Sequence, residues 1–255
     1  MITSIQNKQI KNVKALCDHR RTRRQQGLFV VENPRMFKEI PKDMIAETYV
    51  SESFLRVEEN RSYLEGINYE TVKDDIFKKL SDTQNPQGII ALVKQPVYNL
   101  DRLLSENKEA RYIVLNRLQD PGNLGTILRT AEAAGISAVI MDRECVDVFS
   151  PKVVRSTMGA ILRVPFVYVE NLADALTEMK KAGIKTFAAH LQGKMDFRNA
   201  DYTKRCAFLI GNEGNGLDKE ISDMADELIY IPMQGQAESL NAAVAASLLM
   251  YAKML

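Results

Sequence analysis

The sequence predicts an α/β protein in two parts, the second built on a parallel sheet with helices on both faces. Two observations lead there. From residue 110 onward, short apolar runs alternate regularly with helical patterns, as successive strand–helix units do. Those runs are apolar at consecutive positions rather than every second one, which is the pattern of strands buried on both faces. The 255 residues leave room for one large domain or two modest ones.

The first part begins with a basic helix predicted near 6–25, followed by the strand "GLFVVE". A helix around 34–40 ends at Pro41. Short strands follow in "AETYVS" and "YETV", alternating with helical stretches near 51–65 and 73–81. "GIIALVK" (88–94) is continuously apolar and is bounded by Pro86-Gln87-Gly88 and Pro96, so it reads as a buried strand. The polar stretch "QPVYNLDRLLSENKEA" then marks the boundary, giving domains 1–95 and 110–255 joined by a linker at 96–109.

In the second part the predicted strands are "RYIVLN" (111–116), "AVIMD" (138–142), "VPFVYV" (164–169), "KTFAAHL" (185–191), "CAFLIG" (206–211) and "ELIYIP" (227–232). Helices are predicted near 123–134, 150–160, 171–182 and 217–224, and a last one begins near 239. In open sheets of this kind ligands sit beyond the carboxyl ends of the strands. Attention therefore falls on the loops after Asn116, Gly211 and Pro232.

The first loop, "NRLQDPGNLGTILRTAEAAG", has a Pro121-Gly122 turn and offers Asn123 as helix cap, with Arg129 six residues beyond it. By periodicity Arg129 is a surface residue on a capped helix. The second, "LIGNEGNGLD", places glycines at 211, 214 and 216. Its G-x-x-G-x-G spacing is neither the dinucleotide fingerprint nor a Walker motif. A tight turn accounts for the glycines but not for Glu213 between them. The third, "IPMQGQAESL", leads into the last helix, with Ser239 as the predicted N-cap and Asn241 in its first turn.

Composition narrows the classes. Hydrophobic content of 45% and charged content of 26% are those of a globular protein with a sizeable core. No apolar run reaches membrane-span length, and "MITSIQNKQIKNVKALCDHRRTRR" lacks a signal-peptide core. Cys17, Cys145 and Cys206 form no CxxC pair, so a reducing, cytoplasmic setting is expected. His19 and His190, the only histidines, have no metal-ligand spacing, and no G-x-S-x-G elbow is present. Net charge is +1, yet residues 1–24 carry Lys8, Lys11, Lys14, Arg20, Arg21, Arg23 and Arg24 against Asp18 alone. Such a run is either a solvated helix face or a phosphate-binding strip.

Taken together, "DPGNLGTILRTAEAAG", "LIGNEGNGL" and "IPMQGQAESLNAAVAA" resemble, in order and spacing, the three motifs of the SpoU/TrmH family of RNA ribose 2'-O-methyltransferases in the SPOUT superfamily. "SPKVVRSTMGA" (150–160) fits between the first two, and the resemblance covers residues 110–255. Ahead of it, "GLFVVENPRMFKEI" looks like the RNA substrate-binding domain that precedes the catalytic one, with Asn33 where the family commonly has glycine. "NAAVAA" also stands where "NVSVAA"-like sequences are usual, with Ala243 in place of Ser.

The resemblance implies a deep trefoil knot in the C-terminal part, a rare exception to unknotted topology, and S-adenosylmethionine as cofactor. It carries cofactor contacts onto Gly211, Ile231 and Leu240, and catalytic positions onto Asn123, Arg129, Glu213, Ser239 and Asn241. Arg129 would activate the ribose 2'-hydroxyl. An arginine has no acceptor, so stabilising the developing oxyanion, or orienting a phosphate that takes the proton, is physically easier. RNA contacts are expected at Arg20, Arg21, Arg23, Arg24, Lys152 and Arg155. The expected partner is RNA, ribosomal RNA ahead of transfer RNA, with no metal and no membrane. An RNA-binding protein of the same fold without catalysis and a Rossmann-type nucleotide enzyme are the rivals.

The closing helix is apolar nearly all round, with Leu240, Val244, Leu248 and Leu255 on one stripe and Ala242, Ala246, Met250 and Met254 on another. A helix of this kind is buried on all sides. The family is generally homodimeric through this helix, so one face is expected on its own sheet and the other on a second copy.

Overall fold

The computed structural model describes residues 1–81, 83–105, 109–202 and 204–252. Met254 and Leu255 of the predicted closing helix lie outside them. In chain order the first elements are α1 (Lys8–Asp18), α2 (Arg20–Gln26), β1 (Leu28–Glu32), α3 (Pro34–Glu39), β2 (Ile45–Ser51) and α4 (Glu52–Arg56). Next come β3 (Glu70–Val72), α5 (Asp74–Leu80), β4 (Ile89–Lys94), α6 (Leu100–Ser105), β5 (Ala110–Leu115), α7 (Pro121–Ala133) and β6 (Ala138–Asp142). The rest are α8 (Pro151–Ser156), β7 (Phe166–Val169), α9 (Leu172–Lys181), β8 (Lys185–Ala189) and β9 (Met195–Asp196). β10 (Arg205–Ile210), α10 (Lys219–Met224), β11 (Glu227–Tyr230) and α11 (Ala242–Tyr251) complete the chain.

Two compact units result: Met1–Pro96 with Asp147–Leu162, and Val97–Val146 with Arg163–Leu255. The units are therefore not continuous in sequence. Residues 147–162 join the first because α8 packs on β1, Phe149 meets Phe29 with ring centroids 5.1 Å apart, and Asp147 pairs with Arg23. Residues 97–105 also differ from the linker reading. They hold α6, whose Leu104 is buried in the core of the second unit, because Leu100, Leu103 and Leu104 give the polar stretch one apolar face.

The first unit has a four-stranded sheet in the order β1-β4-β2-β3. β4 runs antiparallel to both neighbours, and β3 parallel to β2. Its core joins Ile10, Val13 and Leu16 of α1 to Val30, Tyr49, Ile90 and Leu92 of the sheet. The basic helix predicted as one piece is two, broken at His19, which is extended. The break turns α2 so that Arg23, not an apolar residue, faces inward. Asn33 has φ 157° and caps α3 through its side chain, a local use that glycine lacks.

The second unit carries seven parallel strands in the order β7-β6-β5-β10-β8-β11-β9. Successive strand residues point to opposite faces. Tyr112, Val114, Ala207 and Leu209 meet Leu176 and Met179 of α9 and Ile221 of α10. The other face is covered by α7 and α11, which pack on each other, with α11 also on β10. The chain runs outward from β5 through β6 to β7, and later sets β10 between β5 and β8. The carboxyl ends of β5, β10, β8 and β11 thus lie side by side. No described helix is long and apolar enough to cross a membrane.

Candidate active site

The loop after β5 is fixed by buried polar groups. Asn116 donates to Asp142 at 3.0 Å and Asp218 at 3.1 Å, and accepts from the Asp218 amide at 2.8 Å. Arg117 then takes the left-handed conformation, φ 57°, uncommon without glycine. Its amide donates to Asp142 at 2.7 Å, and its guanidinium pairs with Glu144 and Asp218, each at 3.0 Å. The cap of α7 is Asp120, which accepts from the Asn123 amide at 2.8 Å, ahead of Pro121 in the first turn. This corrects the capping role expected of Asn123. Because Asp120 satisfies the helix end, the buried Asn123 side chain is released for other partners.

Those partners come from the other two loops. Asn123 Nδ2 donates to Glu213 Oε1 at 3.0 Å, and Asn123 Oδ1 accepts from Asn241 Nδ2 at 2.8 Å. Glu213 also accepts the amides of Asp120 at 2.9 Å and Gln119 at 3.1 Å. Burial pushes the Glu213 carboxyl up. The Asn123 side chain and the amides of Asp120, Glu213 and Gln119 outweigh that and hold it below the usual glutamate value. One carboxylate and two amides thus join three loops, the first lying 90 and 118 residues from its partners in the other two.

The glycine at 211 has a stricter reason than openness toward a ligand. A Cβ there would lie 2.0 Å from the Gly216 carbonyl carbon and 2.1 Å from the Leu217 amide nitrogen. The loop closes on itself through Asn212–Gly216 backbone bonds of 2.9 and 3.0 Å. Of the loop's three glycines only Gly216 takes a positive φ, 71°.

In the third loop the cap of α11 is Asn241, accepting from the amides of Ala243 at 2.9 Å and Val244 at 3.3 Å. The helix starts later than predicted, and Ser239 is not its cap. Ser239 is exposed and lines a cavity instead.

That cavity, about 660 Å³, is bounded by Gly211–Leu217, by Ile231, Met233 and Glu238–Leu240, and by Ala242 and Ala245 of α11. It lies beyond the carboxyl ends of β10, β8 and β11. Gly211, Ile231 and Leu240, expected at the cofactor, all line it, as do Glu213 and Ser239. Its size is that of a small-molecule site. Aliphatic walls beside exposed main chain suit a nucleoside with an amino-acid tail such as S-adenosylmethionine. A wall the sequence reading passed over is Ala189–Gln192, after β8. The rule that singled out the other loops applied to it too. Gly193 behind it is held within 2.7 Å, measured from a notional Cβ, of the Ile229 backbone.

Arg129 stands apart. It is exposed on α7 and makes no hydrogen bond or ion pair among the described residues, so none of these ties it to Asn123, Glu213 or Asn241. Of the expected RNA-binding residues, Arg20, Arg21 and Arg24 are exposed on α2, Lys152 is exposed on α8 and Arg155 is half-buried. Arg23 is the exception and is corrected here. It is 4% exposed, donates to Asp147 at 2.7 and 2.9 Å, and reaches the carbonyls of Leu16 and Cys17. Four of its five N–H donors are so engaged and the group is buried, so it is not offered to a phosphate.

The model of the SpoU rRNA methylase family matches residues 110–251, and that of an MRM3-like substrate binding domain matches residues 7–91. The Bacillus subtilis 23S rRNA (guanosine(2553)-2'-O)-methyltransferase RlmP is 33% identical over 253 residues, 98% of this chain and 97% of the relative. Among solved structures, an AdoMet-bound rRNA methyltransferase from Sinorhizobium meliloti superposes with a TM-score of 0.86 at 31% identity, covering 98% of this chain and 95% of that one. The SpoU methyltransferase AviRb from Streptomyces viridochromogenes, in complex with AdoMet, gives 0.86 at 28% identity, with 97% of each chain covered. The matched region contains the whole seven-stranded sheet and all three hydrogen-bonded loops, and on that ground the chain belongs to the SpoU rRNA methylase family.

Proposed function

We propose that this protein transfers a methyl group from S-adenosylmethionine to a ribose 2'-hydroxyl of ribosomal RNA. The observation that carries the reading is the Glu213–Asn123–Asn241 bridge, which assembles the three family motifs beside one cavity of about 660 Å³. S-adenosylmethionine supplies the electrophilic methyl group on its sulfonium. Gly211, Ile231 and Leu240 hold the cofactor, with Ala189–Gln192 as a further wall. Asn123, Glu213 and Asn241 set the loops in register, and Ser239 positions the ribose from the rim. Arg129, with donors only, stabilises charge on the 2'-oxygen as its proton leaves, or orients the phosphate that takes that proton. Ribosomal RNA is preferred because the relative aligned over nearly the whole chain is named for it.

The protein acts as a homodimer in the cytoplasm in this reading. Ala242, Ala243, Ala246, Leu249 and Met250 of α11 are buried within the chain, which leaves the other face for a partner. There Val244 is 47% exposed and Leu248 is half-buried, and a second copy covering them would form a self-complementary contact. The C-terminal part threads a preceding loop as a trefoil, for which the setting of β10 between β5 and β8 is support. Arg20, Arg21, Arg24, Lys152 and Arg155 contact RNA phosphates.

Mapping of 2'-O-methyl groups in total RNA from a deletion strain tests the reading. One ribosomal position is expected to lose its methyl group and to regain it with the wild-type gene but not with Arg129→Ala. A complete ribosomal methylation pattern in the deletion strain would overturn it.

A further inference from the structure

The charges around the cavity are one-sided. Among the described residues its walls contain no lysine or arginine, and the acidic residues are Glu213 and Glu238. His190 also lines it, with Nδ1 accepting the Gln192 amide at 3.1 Å. Glu213 is committed to the three loops, with both carboxylate oxygens occupied by donors. Glu238 differs. It sits on the polar loop leading to α11, lines the cavity, is exposed, and makes no hydrogen bond or ion pair among the described residues.

We infer that Glu238 is a specificity-determining residue that favours the positively charged sulfonium cofactor over its neutral thioether product at this cavity. The inference rests on the cavity being the S-adenosylmethionine site. S-adenosylmethionine and S-adenosylhomocysteine share the adenosine and the zwitterionic tail. They differ by one methyl group and one positive charge at sulfur. A carboxylate on the cavity wall attracts the tail ammonium of both ligands alike, so the difference between their affinities isolates its attraction for the sulfonium. Before transfer it attracts the ligand; once the methyl group has left, the sulfur is neutral and the attraction is gone. A rim charge also accelerates encounter with a cationic ligand in a salt-dependent way.

Calorimetric titration of the wild-type protein and of Glu238→Gln, Glu238→Asp and Glu238→Lys, with each of the two ligands, tests this. For a solvent-screened pair the expected loss of S-adenosylmethionine affinity in Glu238→Gln is about three- to tenfold. S-adenosylhomocysteine affinity should stay within about twofold, since the absent charge contributes nothing. Glu238→Lys should reduce the preference for S-adenosylmethionine further or invert it, Glu238→Asp should retain it, and added salt should shrink it in the wild type. Equal weakening of both ligands, or unchanged S-adenosylmethionine binding by a variant with wild-type melting behaviour, overturns the inference. A wild-type protein that binds neither ligand overturns the cofactor reading beneath it.

Discussion

Replacing Asn123 by alanine removes the side chain on which all three loops depend. Two hydrogen bonds go: the donor to Glu213 at 3.0 Å and the acceptor of Asn241 at 2.8 Å. A hydrogen bond to a charged group is worth about 1.5–3 kcal/mol and one between neutral groups about 0.5–1.5 kcal/mol. Asn123 is buried but Glu213 and Asn241 reach solvent, so water replaces part of what is lost. Glu213 also keeps its two amide donors. The expected destabilisation is therefore at the low end, about 1–3 kcal/mol, against a typical total of about 5–15 kcal/mol. Urea unfolding should show a lowered midpoint with little change in slope. Asn123→Asp should be worse at neutral pH, because it sets a second carboxylate against Glu213. In that variant one carboxyl is raised above its unfolded value. The penalty is then absent below the ordinary carboxyl range of about 3.9–4.3 and grows as pH rises through the raised value. Single-turnover methyl transfer should fall in both variants. An alanine variant with wild-type midpoint and wild-type turnover would refute the claim that this bridge holds the site together.

Arg129→Ala should abolish transfer while leaving cofactor affinity within a few-fold, and Arg129→Lys should fail too, for want of the planar fork of donors; near wild-type single-turnover rates would remove Arg129 from the mechanism. Replacing Arg20, Arg21 and Arg24 by Gln should weaken RNA binding and flatten its salt dependence, an unchanged slope returning them to the solvated-face reading. Arg23→Gln should instead cost about 3 kcal/mol of stability by leaving the half-buried Asp147 carboxylate without its counter-charge, measurable by chemical unfolding. Since Glu213 is held below its usual value, its contribution is present above the unfolded value of about 4.3 and is lost as pH falls through the folded one. Glu213→Gln should therefore flatten the acid limb of the stability profile. Val244→Glu should shift sedimentation toward monomer, whereas Met250→Glu should impair folding, because Met250 is 0% exposed within its own chain.

The parallel sheet was legible because its strands are runs such as Ile113-Val114-Leu115 and Phe208-Leu209-Ile210, buried on both sides and needing no partner to identify them. The caps were less so. Asp120 and Asn123 are both good N-cap types three residues apart, as are Ser239 and Asn241 two apart, and a local pattern cannot choose within either pair. In both pairs the asparagine side chain makes a contact at least ninety residues away in sequence. Arg23 was misplaced for the same reason: its partner Asp147 is 124 positions off. The break at His19 has no proline or glycine to announce it. β9 is two residues long, below what periodicity can register. The resemblance named polar positions in three loops, and the structure adds which of them touch.

The pairing of Arg23 with Asp147 also has a meaning for the order in which the chain is made. The first unit contains residues 147–162, so on the ribosome β1 waits for α8, and Arg23 for its counter-charge, until more than half of the polypeptide has emerged. At roughly 5–20 residues per second that is a delay of several seconds, during which an amino-terminal nascent segment is exposed with one flank of its sheet uncovered. Synthesis that stalls or terminates near Pro96 would release a piece carrying an uncompensated guanidinium in its interior, a natural substrate for chaperones and proteases. The amino-terminal unit would thus mature only after the middle of the chain has been made.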